Sequence, residues 1–93
     1  MEGVATEKIP GGKLVRIKVN YNGRINDVKI TGDFFIHPEE AIKDIEKSLS
    51  GMDANQDESS IANSIQEIVN SKNIELIGIT SDAIARVLKS AMK

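Results

Sequence analysis

The run from Val15 to Gly23 constrains this chain more than any other. Val15, Ile17, Val19 and Tyr21 alternate with Arg16, Lys18 and Asn20. Successive strand side chains point to opposite faces, so this alternation marks a half-buried strand. Asn22-Gly23 follows. That pair suits a two-residue type I′ hairpin turn, which requires positive φ at both central positions. Such a turn sets a register: Tyr21 opposite Arg24, Val19 opposite Asn26, Ile17 opposite Val28 and Val15 opposite Ile30. The apolar residues of both strands then share one face. On the other face Lys18 meets Asp27, a favourable cross-strand pair, and Arg16 meets Lys29, an unfavourable one.

The other elements fall around this hairpin. Val4 to Ile9 reads as a third strand turning at Pro10-Gly11-Gly12. A helix is expected from His37-Pro38-Glu39-Glu40, since proline suits the first helical position and acids suit the helix N-terminus. Its buried stripe is Ile42, Ile45 and Leu49, and Gly51 ends it. Asp57 is placed as the cap of a second helix carrying Ile61, Ile65, Ile68 and Val69. Residues 72–79 read as a connector containing Gly78. Thr80 or Ser81 caps a last helix with Ile84, Val87, Leu88 and Ala91.

Strands first and helices after imply a two-layer α+β fold. One face of a small antiparallel sheet of two to three strands is covered by about three helices. The open face carries Arg16, Lys18, Asp27, Lys29 and Thr31. With 93 residues, one domain spanning residues 1–93 is expected. A chain this short buries only about 60–65% of its unfolded surface, which disfavours a large enclosed active site.

The chemistry available is narrow. The chain has no Cys and one His, so thiolate chemistry is excluded and a zinc site is disfavoured, with His37 the one nitrogen ligand left. His37 precedes a proline at a helix start, a position that suits capping or exposure better than catalysis. Glu39-Glu40 and Asp57-Glu58 are accounted for by dipole complementation in first helical turns. Pro10-Gly11-Gly12-Lys13 invites a phosphate reading, because glycine loops present backbone N–H groups. The pattern G-x-x-x-x-G-K-[ST] is absent, however, and a strand follows instead of a helix. Net charge is −2, unlike the basic footprint of a nucleic-acid binder. No apolar run reaches membrane-spanning length. The N-terminus lacks the order of a signal peptide, so the cytoplasm is the expected location.

The two phenylalanines of the chain, Phe34 and Phe35, stand side by side in Thr31-Gly32-Asp33-Phe34-Phe35 at the end of a strand. Both rings could be core. Alternatively, extended backbone would send one inward and leave its neighbour outward as an anchor for a partner.

These residues carry a resemblance. Pro10-Gly11-Gly12-Lys13-Leu14, Asn22-Gly23-Arg24-Ile25, Lys29-Ile30-Thr31-Gly32-Asp33-Phe34-Phe35, then Pro38, Glu46, Leu49 and Gly51 resemble the accessory domain of lipoate–protein ligases. The resembling pattern is specific from Lys8 to Gly51 and rests on helical patterning from Asp57 onward. In many such ligases this domain is the C-terminal part of a longer chain. Running here from Met1 to Lys93, it resembles the separate small subunit of a split ligase. The family's lipoyl-binding motif and adenylating lysine are not in this sequence.

The resemblance implies a non-catalytic subunit needed for ATP-dependent activation of lipoate to lipoyl-AMP, before transfer to a lysine of lipoyl domains. The complex would use ATP, Mg²⁺ and lipoate, none of them bound by this chain alone. Its partners would be a large catalytic subunit and, through the complex, lipoyl domains, with neither nucleic acid nor membrane. Gly11, Gly12, Lys13, Thr31, Gly32, Asp33, Phe34 and Phe35 would form one contact patch at the end of the hairpin, where the expected register pairs residues 14 and 31. Two other readings compete: a stand-alone binding module for a lipoyl domain or other carrier protein, and a domain that self-associates through its open sheet face.

Overall fold

A computed structural model describes residues 1–11 and 13–93. The chain is α+β. Strands β1 (Glu2–Ile9), β2 (Lys13–Tyr21) and β3 (Ile25–Gly32) form an antiparallel sheet in that order. A short ribbon pairs β4 (Phe35–His37) with β5 (Glu75–Ile77). The helices are α1 (Ala41–Leu49), α2 (Glu58–Ser71) and α3 (Ser81–Ala91).

The hairpin keeps its expected face and changes its register. Val15 lies opposite Gly32, Ile17 opposite Ile30, Val19 opposite Val28, and Tyr21 opposite Ile25 across a bulge. Through most of the pair this is a two-residue slide. An even slide preserves the buried face, and Val15, Ile17, Val19, Val28 and Ile30 are all buried. The open face is re-paired. Lys18 meets Lys29 instead of Asp27, and Arg16 meets Thr31 instead of Lys29. Lys18 turns to Glu2 on β1, 3.8 Å away.

The cause lies in a distant segment. Of the turn pair only Gly23 has positive φ, so the type I′ turn does not form. Asn22 N–H donates to the carbonyl of Arg24 at 3.0 Å, making a three-residue loop. Residues 51–54 lie against that loop. Ile25 N–H donates to Met52, Gly51 N–H to Ile25, and Ala54 N–H to Gly23, at 2.7–2.9 Å. Local turn chemistry loses to this second set of partners.

Helices α1 and α3 pack on the sheet, α1 against β3 and α3 against β1 and β2, while α2 packs across both. The core is aliphatic: Ile17, Ile25, Ile45, Leu49, Ile61, Ile65, Ile84 and Leu88 are fully buried. Both expected caps form. Asp57 accepts from Ser60 N–H at 2.8 Å and Thr80 from Ala83 N–H at 3.1 Å. Two expectations need correction. Helix α1 starts at Ala41, because His37 is taken up by β4 and Pro38 opens a turn whose carbonyl accepts from Ala41. The connector 72–79 contains β5, which three residues of alternation are too short to announce.

Candidate functional site

The sheet holds Lys13 and the Thr31–Phe35 segment at one end. Leu14 pairs with Asp33, not with Thr31 as the expected register would have it. Asp33 N–H donates to the Leu14 carbonyl at 3.1 Å, and the Asp33 carboxylate accepts from Leu14 N–H. The side chain thus continues the ladder one step past the end of β3. Gly32 is needed for the approach: a Cβ there would lie 2.2 Å from the Leu14 oxygen and 2.9 Å from the Phe34 ring. Thr31 stands on the open face opposite Arg16. Gly11 lies in the exposed turn before β2, and Gly12 lies outside the described residues.

The two phenylalanines divide. Phe34 packs half-buried against the core. Phe35, the first residue of β4, is 64% exposed. Directly opposite it on β5 is Ile77, 47% exposed. Leu14 is also exposed at this end of the sheet. Lys13 reaches the same ribbon, its Nζ 5.5 Å from the centre of the Phe35 ring, within cation–π range. The result is an apolar patch, Phe35 and Ile77, beside one ammonium.

Ile77 and Gly78 are not legible in the sequence as site residues. The ribbon that brings them here depends on pairing between three-residue strands far apart in the chain. His37, also in β4, is exposed opposite Glu75. Among the described residues no three His, Cys, Asp or Glu side chains cluster as metal ligands. Among the described residues no helix is long and apolar enough to cross a membrane. On the open sheet face Glu2, Lys18, Asn20, Asp27 and Lys29 line a shallow depression of mixed charge.

The family model of the bacterial lipoate protein ligase C-terminus matches residues 4–88. The chain belongs to this family. Among curated proteins no sequence matches. Among solved structures, the ligase C-terminus seen here is similar to a chain from the bipartite lipoate protein ligase and E2 lipoyl domain system of Thermoplasma acidophilum. The TM-score is 0.78 at 26% identity, over 95% of this chain and 94% of that one. All the candidate site residues lie inside the span matched to the ligase C-terminus.

Proposed function

We propose that this chain is the non-catalytic small subunit of a two-part lipoate–protein ligase. It docks on a catalytic partner through Lys13, Phe35 and Ile77. The observation that carries the docking reading is an exposed phenylalanine paired with an exposed isoleucine on a ribbon, in a family whose name is that of a ligase's terminal part. Large apolar side chains set beside a charge are what interface anchors require. The likeness to a chain from a bipartite lipoate protein ligase system supports the subunit reading.

In the complex, lipoate attacks the α-phosphate of ATP, releasing pyrophosphate and forming lipoyl-AMP. A lysine amine of a lipoyl domain then attacks the acyl carbon, releasing AMP. In this reading the ATP·Mg²⁺ site belongs to the catalytic partner and not to this chain. Its contribution is to complete the partner's site for the adenylation step.

The test is lipoate-dependent exchange of pyrophosphate into ATP. The chain alone should give none, and adding it to the large subunit should raise exchange strongly. Exchange that is equally fast without it refutes the reading. Binding to isolated lipoyl domains without any ligase subunit would favour a stand-alone carrier-binding module instead.

A further inference from the structure

Lys13 is ordered without a charge partner. Lys18 pairs with Glu2, Lys72 with Asp44, and Lys89 donates to the Ala54 carbonyl. Among the described residues Lys13 makes no ion pair. Its position is nevertheless fixed from three sides. The Asp33–Leu14 pair anchors the backbone next to it. The Phe35 ring lies beneath the ammonium. Its aliphatic stem runs along Gly78: a Cβ on Gly78 would lie 2.9 Å from Lys13 Cγ and 3.3 Å from Cδ and Cε. Gly78 has φ +86°, a conformation that side chains rarely adopt, directly after the exposed Ile77.

A lysine normally keeps its rotamer freedom in solvent, and ordering it costs conformational entropy. Here the order is supplied in advance without a carboxylate to neutralise the charge. From this we infer that Gly78 is a positioning residue. Its missing Cβ is the channel that aims the Lys13 ammonium across the docking patch toward an anionic oxygen group brought by the catalytic partner. That group is a partner carboxylate or a phosphate in the partner's adenylation site. The inference rests on the docking reading and extends it to a residue from the opposite end of the chain.

The experiment is a double-mutant cycle in the full chain with Gly78→Ala, Lys13→Ala and both together. Affinity for the large ligase subunit and single-turnover adenylation at saturating small subunit are both measured. Gly78→Ala and Lys13→Ala should each lower one of these about 5–10-fold, and the double variant should be no worse than Lys13→Ala alone. Loss of affinity with normal adenylation at saturation assigns the anion to a partner carboxylate. Slowed adenylation at saturation assigns it to phosphate. Strain from alanine at positive φ should lower the melting temperature equally with or without Lys13, which separates positioning from stability. Ring-current shifts of the Lys13 side-chain protons, lost in both Gly78→Ala and Phe35→Ala, report the geometry without any partner. Additive effects of Gly78→Ala and Lys13→Ala, or Lys13 protons indifferent to Phe35, overturn the inference. If Phe35→Ala leaves complex affinity intact while the ring-current shift is present in the unsubstituted chain, the docking reading fails and the positioning geometry stands.

Discussion

Glu46 seals the edge of the sheet at Ile30. Its carboxylate, reaching from α1, accepts the Ile30 N–H at 2.7 Å. Three residues on, Leu49 is fully buried, and Gly51 N–H donates to Ile25 further along the same edge. Arg24 closes the set by donating to the Gly51 carbonyl at 2.9 Å. The spacing Glu46, Leu49, Gly51 is therefore a device for covering β3, whose open N–H and C=O groups would otherwise invite another strand.

Glu46→Ala should cost about 1–2 kcal/mol, because it removes a charge-assisted bond and leaves the Ile30 N–H to find water. For a domain of this size that lowers the melting temperature by roughly 4–16 °C. Glu46→Gln, which keeps an acceptor oxygen, should lose less. Thermal melts of both variants decide the matter, and equal melting of Glu46→Ala and wild type would remove the edge-sealing role.

Much of this architecture is legible in the sequence alone. Alternation places β2 and β3, helical spacing places the three helices, and β1 is announced by the turn after it more than by its own weak alternation. Asp57, and Thr80 or Ser81, announce their helices because a cap is a local device. The register is not legible, since partners for the Asn22–Arg24 loop come from residues 51–54 and override its own turn preference. The juxtaposition of Lys13 with the Gly32–Phe35 segment is insensitive to that difference, because an even slide keeps faces and moves ends by only two residues. Ile77 and Gly78 escape notice for another reason. Nothing local distinguishes a three-residue ribbon strand from a loop, and a missing Cβ becomes informative only when its neighbour is known.

The cap at α2 supplies a prediction in pH. The Asp57 carboxylate is held below the usual carboxylate range, first by the Ser60 N–H, then by the Ser60 and Ser59 hydroxyls, with the charge of Lys89 adding to them. A group whose folded pKa is depressed contributes stability above its unfolded pKa and loses it as pH falls through the folded value. Asp57→Ala should therefore melt about 4–8 °C below wild type at pH 7, the shift expected for losing one cap in a small domain. The gap should narrow once the pH drops below about 3.9, leaving the smaller difference that a neutral acceptor still makes. A gap that stays constant to pH 2 would mean the charge of Asp57 plays no part.

Phe34 and Phe35 should separate stability from binding. Phe34 is half-buried against the core and against Gly32, so Phe34→Ala should cost about 2–4 kcal/mol, somewhat below the range for a fully buried ring. Phe35 is mostly exposed. Phe35→Ala should change the melting temperature little and weaken association with the large subunit by about 2 kcal/mol or more, roughly thirtyfold in affinity. Melts and titrations on the same two variants check both halves. A Phe35→Ala variant that unfolds as readily as Phe34→Ala, or binds as tightly as wild type, contradicts the division.

Asp33 sits among the contact candidates by sequence, yet its carboxylate is already engaged with Leu14 N–H inside the chain. Its role follows from that bond. Without that side chain the Leu14 N–H would lose its acceptor on the β3 side, and the end of β2 would be held there only by the Asp33 N–H to the Leu14 carbonyl, with β1 still paired on the other edge. With Asp33 in place the end of β2 stays closed, and Lys13 stays over Phe35. The bond is exposed to water, so its net worth is small, about 1 kcal/mol. The positional effect should be larger than the energetic one. Asp33→Ala should speed hydrogen exchange at the Leu14 amide about fivefold, the factor that 1 kcal/mol implies. It should also reduce affinity for the large subunit while leaving exchange in the buried centre of the sheet, at Ile17 and Val19, unchanged. Asp33→Asn offers an amide oxygen to the same N–H and should restore both. If Asp33→Asn fails to restore binding although Leu14 is again protected, the negative charge itself meets the partner, and Asp33 belongs to the contact surface.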